Sequence, residues 1–143
     1  MANYLNYRSG LSTVGAYQVA GIPYMSASAA EIPVSGGTPY QVSFPSVTKW
    51  IIIENKGAAD LRVGYSANGV KGTSEDAYFV IPIAAAGNSL SRVELNVRVK
   101  DIYLLSDDAG DTTTAQIAAG LTPVSTEELT GTINNWSGSS GVG

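Results

Sequence analysis

Apolar side chains recur at every second position through the middle of this chain. The first two such series are Tyr40, Val42 and Phe44, then Leu61, Val63 and Tyr65. A spacing of two is the side-chain period of a β-strand with one face in a core, whereas an amphipathic helix repeats at 3.6 residues. No stretch of comparable length follows the helical period. The sequence therefore predicts an all-β fold.

Turn-forming sequences separate these series at spacings that suit antiparallel hairpins. They are Asn55-Lys56-Gly57, Ala67-Asn68-Gly69, Ala86-Gly87-Asn88 and Asp107-Asp108-Ala109-Gly110. Seven to nine short strands lie between them, which predicts an antiparallel β-sandwich, either jelly-roll-like or immunoglobulin-like. A length of 143 residues suits one domain. We expect residues 40–122 to form the core of the sandwich, residues 1–39 an N-terminal arm with the first strands, and residues 123–143 a short helical turn and a tail.

Three local patterns predict more. The continuous apolar run of residues 50–53, which begins with Trp50, is typical of a strand buried on both faces. Pro82 cannot donate a hydrogen bond to a ladder, so the strand at residues 79–83 should be an edge strand or bulged. Ser125 and Glu128 have the spacing of a capping box, which predicts one or two helical turns within residues 123–129.

Charge is scarce and unevenly distributed. Charged residues make up 14% of the chain, against roughly 25% in an average soluble domain. Arg8 and Glu31 are the only charged residues among the first 48, and none follows Glu128. Because charged surface keeps soluble proteins apart, a charge-poor chain is expected to turn part of its surface toward other protein.

The two nearly neutral ends are candidates for that contact. Five of the eight tyrosines lie within the first 40 residues, and a lone Trp stands in the Gly/Ser-rich tail. Large aromatic side chains are favoured at interface hot spots. We expect partner contacts from Tyr4, Tyr7, Tyr17, Tyr24 and Trp136. The alternative for Trp136 is that it packs back on its own sandwich.

Composition also excludes several classes of function. A net charge of −4 argues against nucleic acid as a partner, because phosphate binding needs clustered Lys and Arg. The chain contains no His and no Cys, which removes the common ligands of zinc and the common catalytic bases and nucleophiles. No apolar stretch approaches the length of a membrane span. We expect no enzyme, no cofactor, no nucleic acid and no membrane.

Two motifs have both a functional and a structural interpretation. Asp107, Asp108 and Asp111 form the only dense carboxylate group and are a weak calcium candidate, although the spacing is not that of an EF-hand and an Asp-rich turn explains it equally. Residues 64–73 contain the ingredients of a phosphate loop in the wrong order, so we interpret them as a loop in which Asn68 and Gly69 supply positive φ angles.

Four segments resemble small structural proteins of tailed-bacteriophage virions, especially capsid decoration or cement proteins. They are GAYQVAGIPY (residues 15–24), FPSVTKWIIIENKG (44–57), LRVGYSANGVKGT (61–73) and NWSGSSGVG (135–143). The resemblance implies a β-rich protein that docks on the major capsid protein or other virion subunits, often as a homo-oligomer such as a trimer. It also implies a place in the virion after assembly in the host cytoplasm. The N-terminal sequence agrees with the cytoplasm, because it has no secretion-signal pattern. The alternative is a carbohydrate- or receptor-binding β-sandwich module.

Overall fold

The fold was analysed in a computed structural model that describes residues 10–11, 14–18, 20–27, 31–72, 76–84 and 90–129. Within this part of the chain there are eight strands and three short helices. The strands are β1 (Ile22–Ala27), β2 (Tyr40–Ser43), β3 (Thr48–Asn55), β4 (Leu61–Gly64), β5 (Tyr78–Ile81), β6 (Arg92–Leu95), β7 (Asp101–Ser106) and β8 (Ala115–Leu121). The helices are α1 (Val14–Gln18), α2 (Ala67–Lys71) and a 3-10 helix at Thr126–Glu128.

The strands form two four-stranded antiparallel sheets, which confirms the predicted all-β sandwich. Sheet 1 has the order β1-β8-β3-β6, and sheet 2 has the order β2-β7-β4-β5. The antiparallel partners include β1 with β8, β2 with β7, β3 with β6 and β4 with β5. Such nested pairs are the connectivity of a jelly roll, in which a long hairpin is folded over on itself. An immunoglobulin-like sandwich would instead place its first two strands side by side in one sheet.

The core lies between the two sheets and is filled by alternate side chains of the strands. On β3 these are Ile51 and Ile53, which are fully buried and lie opposite Ala119 and Ile117 of β8. The buried core residues are Ile32, Val42, Phe44, Ile51, Ile53, Leu61, Val63, Ile81, Val99, Ile102, Leu104, Ala115, Ile117, Ala119 and Leu121. Burial of each large aliphatic side chain stabilises the fold by about 1.5–3 kcal/mol.

A buried asparagine at the end of β3 ties the two sheets together. The Asn55 amide nitrogen donates to the carbonyl oxygens of Ala59 (2.9 Å) and Ile81 (3.1 Å). Its side-chain oxygen accepts from the Gly57 N–H (3.1 Å) and from the Thr113 hydroxyl (2.8 Å). Because all four polar valences of the buried amide are used, Asn55 carries no desolvation penalty and fixes sheet 1 against the end of β5 in sheet 2.

The local predictions have mixed outcomes. β5 ends at Ile81, directly before Pro82, and lies at the edge of sheet 2, as predicted. The helical turn near the C-terminus is confirmed, but the Ser125 hydroxyl accepts from the Glu127 N–H, and the carboxylate of Glu128 accepts from the Leu11 N–H instead of closing a capping box.

The turn predicted at Asn68-Gly69 is wrong. Both residues lie in α2, whose N-terminus is capped by the Ser66 hydroxyl accepting from the Gly69 N–H at 2.9 Å. The left-handed residue is Gly72, with φ +68° at the end of the helix. Among the described residues it is the only glycine with positive φ. A Ser at the N-cap and a Gly after the last turn are the ordinary start and stop signals of a helix, here with only five residues between them. None of the described helices is long and apolar enough to cross a bilayer.

Candidate functional site

The apolar run at residues 50–53 is not buried on both faces as the sequence predicts. Ile51 and Ile53 face the core, whereas Trp50 and Ile52 are only half-buried. Side chains alternate between the two faces of a strand, so Trp50 and Ile52 lie on the side of sheet 1 that faces away from sheet 2. Half of this run is therefore apolar surface.

Strand register extends this surface across the sheet. One cross-strand row contains Met25 of β1, Ala118 of β8 and Ile52 of β3, and it ends at Glu94 of β6. The flanking rows are Pro23, Gly120 and Trp50 on one side and Ala27, Gln116, Glu54 and Arg92 on the other. We call these eleven residues the outer face of sheet 1. Its residues on β1 are apolar, its residues on β6 are charged, and Gln116 and Glu54 are the polar residues between them.

The middle of the outer face of sheet 1 is a shallow groove of about 420 Å³. Met25, Ala27, Ile52 and Ala118 are among the residues that line it. Met25 is 80% exposed, and Ile22 of the same strand is 51% exposed. Ile22 is three residues from Met25 and therefore belongs to the opposite face of the strand, so Met25 is the exposed large apolar side chain beside this groove, and such a surface is a candidate docking site.

Trp50 lies flat on the outer face because the residue beneath it has no side chain. A Cβ atom at Gly120 would lie 2.6 Å from Cε2 of the Trp50 ring. The indole therefore covers the Gly120 backbone and forms one wall at the end of the apolar surface. The pair requires glycine at this position for close approach, not for its backbone freedom.

The alternation of hydrogen bonds along the strands shows which backbone groups of the edge strand β1 point outward from sheet 1. The Asn55 N–H donates to Ser91 on the β6 side, and the Lys56 N–H donates to Thr114 on the β8 side. In an antiparallel ladder the N–H and C=O of one residue point to the same neighbour and alternate along the strand. The even-numbered residues of β3 therefore bond to the even-numbered residues of β8. The odd-numbered residues of β8 bond to the even-numbered residues of β1.

The remaining backbone groups of β1 point outward from the sheet. They belong to Pro23, Met25 and Ala27, and β1 is an edge strand of the sheet. Pro23 has no N–H to donate, which suits the outward position. The edge therefore offers the N–H groups of Met25 and Ala27 and three carbonyl oxygens, beside the apolar groove.

The described parts of the two chain ends meet near one another. Leu11 packs against Val47, Val124 and Leu129, and the Arg98 guanidinium donates to the Leu11 carbonyl at 3.2 Å. Leu11 and Leu129, near the two ends of the described chain, therefore lie on the same side of the domain. The sequence-predicted residues Tyr4, Tyr7 and Trp136 lie outside the described residues.

The other two predicted contact residues lie at the start of sheet 1. Tyr17 is part of α1, and the structure describes only its backbone. The Tyr24 ring faces the sandwich and meets Phe44 edge-on, with ring centroids 5.1 Å apart. This contact anchors β1 to sheet 2 and leaves Met25 as the most exposed apolar side chain of the strand. A role for either tyrosine in binding a partner stays a prediction.

Two of the three aspartates of the calcium candidate have structural tasks of their own. Asp107 forms an ion pair with Arg62. Asp108 Oδ1 accepts from the N–H groups of Gly110 (2.7 Å) and Asp111 (3.2 Å), which holds the pKa of the exposed Asp108 carboxyl below its usual value. Among the described residues, no three acidic side chains are placed to hold a metal ion together.

Sequence reasoning missed the outer face of sheet 1 because its residues come from three distant segments. The available signal was the uncharged, apolar sequence Ile22-Pro23-Tyr24-Met25, which has the composition of an unprotected edge strand. No protein-family model matches the chain, and no curated protein matches it.

Proposed function

We propose that this domain is a structural subunit that docks on neighbouring proteins of a larger assembly, and that the assembly is a virion. In this proposal it decorates or cements a capsid by binding the major capsid protein or other virion subunits. Its mechanism is adhesion without turnover. The outer face of sheet 1 forms the central contact, and the terminal segments add to it.

The observation that carries this proposal is the apolar surface from β1 to β3. Met25 and Ile52 line a groove there together with Glu54 and Arg92, and Trp50 adds a large side chain in the next cross-strand row. An apolar centre with a polar border is the usual anatomy of a protein interface. At about 25 cal/mol per Å2 of apolar area removed from water, three such side chains contribute several kcal/mol to docking before ordering costs.

Two features of the sequence support a virion as the setting. The chain is poor in charge, which suits a protein surrounded by others. The four segments that resemble decoration and cement proteins include the start of β1 and the whole of β3, which supplies Trp50 and Ile52. A modest affinity suffices in a particle, because many copies bind to one shell.

The proposal is tested by co-sedimentation of purified variants with capsid shells that lack this chain, assembled from the major capsid protein of the same virus. Ile52→Gln keeps side-chain length but places an amide in the groove. We expect it to weaken binding about tenfold or more, since an interface hot spot contributes about 2 kcal/mol. Deleting residues 1–12 or 130–143 should abolish incorporation while the remaining chain still unfolds cooperatively.

Val80→Gln is the matched control for Ile52→Gln. Val80 is a β-branched residue on the outer side of the other sheet and is 40% exposed. Shell binding by Val80→Gln should equal that of the wild type. Equal binding by Ile52→Gln and by both deletion variants would refute docking through these surfaces.

The alternative function, carbohydrate binding, has one feature in its favour. A cleft of about 270 Å³ beside β4 and β5 is lined by Tyr65, Asp76 and Tyr78, and sugar sites combine aromatic rings with carboxylates. However, the Arg62 guanidinium lies 4.4 Å from the centroid of the Tyr78 ring and occupies one of its faces. Specific binding on a glycan array, abolished by Asp76→Ala, would favour this alternative over shell docking.

A further inference from the structure

The free edge of β1 suits one particular partner, a second copy of the same strand. We propose that two copies of the chain pair antiparallel through their β1 edges, about a two-fold axis beside Met25. Sheet 1 then continues into its partner as an eight-stranded sheet. This inference concerns the isolated protein and goes beyond the docking on a shell proposed above.

The outward-pointing groups of β1 satisfy one another in this register. With Met25 opposite Met25 of the second copy, each Met25 N–H donates to the other Met25 carbonyl. Each Ala27 N–H donates to the carbonyl of the opposing Pro23. Four hydrogen bonds form in total. Pro23, which has no N–H, lies at the two ends of this ladder, so the Ala27 carbonyl of each copy is the one outward group that stays open to solvent.

Because β1 carries no charge, two copies of the strand can approach each other without electrostatic repulsion between their edges. Between Arg8 and Glu31 the chain has no charged residue, so the two edges meet without like charges although each chain carries a net charge of −4. Sheet edges that avoid self-pairing usually carry Lys or inward charges. The opposite edge of sheet 1 does so, because Arg92 and Glu94 of β6 are both exposed.

The apolar groove also continues across the axis. Met25 lies between the axis and the row formed by Ala118 and Ile52, so pairing joins two such rows into one strip. Side chains of directly opposed residues on neighbouring strands contact one another, so the two Met25 side chains pack together on the outer face. The paired molecule therefore presents a docking surface twice as long as that of one copy.

The dimer should be weak in dilute solution. β1 contributes six residues, whereas a standard interface has about 20–30 residues on each side. We expect a dissociation constant above about 1 μM, so that the dimer forms at high protein concentration or within an assembly.

Sedimentation analysis of the full chain between about 10 μM and 1 mM tests the proposal. The wild type should show a monomer–dimer equilibrium. Met25→Lys places two like charges opposite each other and should weaken it at least about tenfold. Ala27→Pro removes an outward N–H and two of the four inter-chain bonds, and should weaken it without disturbing the pairing of β1 with β8. Val80→Lys, on the edge strand of sheet 2, should leave the equilibrium unchanged.

Cross-linking determines the register independently of affinity. The chain has no Cys, so each engineered Cys can pair only with its own copy. Directly opposed residues in a hydrogen-bonded pair have Cα atoms about 5.5 Å apart, which suits a disulfide. Met25→Cys should therefore oxidise to a covalent dimer much faster than Glu94→Cys, which is exposed on the same face at the other edge.

Four outcomes would overturn the proposal. They are a wild type that stays monomeric at about 1 mM, a dimer that Met25→Lys and Ala27→Pro leave unchanged, equal cross-linking at positions 25 and 94, and a trimer as the first associated species, since paired edges close with two copies. None of these results depends on shell binding, so failure here and failure of the proposed function are separately observable.

Discussion

The two outer faces of this sandwich are built by the same alternation of side chains but differ in what covers them. On sheet 2, α2 packs Val70 against Gly64, where an added Cβ would approach the Val70 Cβ to 3.2 Å. Arg62 pairs with Asp107 and lies over the Tyr78 ring. On sheet 1 the corresponding positions hold Met25, Ile52 and Ala118, which line an open groove.

Under the proposed function, this difference separates a surface stabilised within the molecule from a surface that docks on a partner. A helix, an ion pair and a cation–π contact lie on the outside of sheet 2, and they cover part of that face with side chains of the same molecule. On sheet 1, the polar side chains are concentrated toward β6, and the β1 side remains apolar. An outer face that is partly apolar and partly charged is oriented, so it can set the direction in which a partner approaches.

The largest expected effect in this comparison comes from Gly120→Ala, which changes the shape of the sheet 1 face. The new methyl group would occupy the space of the Trp50 ring, with only 2.6 Å to Cε2, so the indole must move. Overpacking of this kind costs about 1–3 kcal/mol of unfolding free energy. Urea unfolding measures it, and tryptophan fluorescence in a Trp136→Phe background reports the displaced ring.

Gly36→Ala is the control for the substitution itself. A Cβ at Gly36 meets no atom within 4 Å, so the variant should be neutral or slightly more stable through its effect on the unfolded chain. A Gly120→Ala protein as stable as Gly36→Ala would show that Trp50 does not cover Gly120 in solution.

Arg62→Met tests the cover of the sheet 2 face and should have a smaller effect. Arg62 lies beside Leu105 in the strand register, and its guanidinium bonds Asp107. The pair is partly exposed, with side-chain exposures of 15% and 36%. We expect a loss of about 0.5–1.5 kcal/mol from the ion pair and the cation–π contact, and the difference from wild type should shrink at high salt.

The same substitution on the other sheet provides the control. Lys56 pairs with Glu54 at 2.9 Å, and its side chain is more open to solvent than that of Arg62, at 44% against 15%. Lys56→Met should therefore change the unfolding free energy by less than about 0.5 kcal/mol. Equal losses for Arg62→Met and Lys56→Met would mean that the sheet 2 cover contributes no more than an ordinary surface pair.

The strands were predictable, because their period and turn residues are local properties of the sequence. The jelly-roll order was not, since its pairs bring together residues as distant as Ile22 and Leu121. Period alone also could not separate a strand buried on both faces from one with an apolar outer face, because both give a run such as residues 50–53. The five-residue helix α2 is too short for a helical period, although Ser66 and Gly72 mark its ends.

The candidate site could be predicted only in part. Scarcity of charge near the N-terminus correctly marks the segment that contains β1 as unusual, but the surface itself exists only when β1, β8 and β3 are in register. The aromatic residues predicted to contact a partner include Tyr24, whose ring meets Phe44 and whose role in binding a partner stays a prediction. Met25, the next residue along the strand, is exposed, and a one-residue difference in strand register would exchange the two.

The smallest expected effect concerns the turn of Asp108, which lies next to the ion pair on the sheet 2 side. Two backbone N–H groups lower the pKa of its carboxyl, so the ionised form stabilises the fold. This contribution is present above the ordinary Asp pKa of 3.8 and is lost as the pH falls through the lowered folded-state pKa. The melting temperature of Asp108→Ala should therefore lie below that of the wild type near neutral pH and approach it as the pH falls through the lowered pKa of Asp108.

Asp108→Asn separates the charge from the turn and also bears on calcium. An amide oxygen still accepts from the Gly110 and Asp111 N–H groups, so the variant should keep most of the stability near neutral pH. It should lose the part of the pH dependence of stability that comes from titration of the Asp108 carboxyl. Because Asp107 is paired with Arg62 and Asp108 caps the turn, calcium should leave the melting temperature of the wild type unchanged. A calcium-dependent rise that Asp108→Asn reduces would instead show that the three aspartates give up these partners for the ion, and that the polar side of the sandwich also binds a ligand.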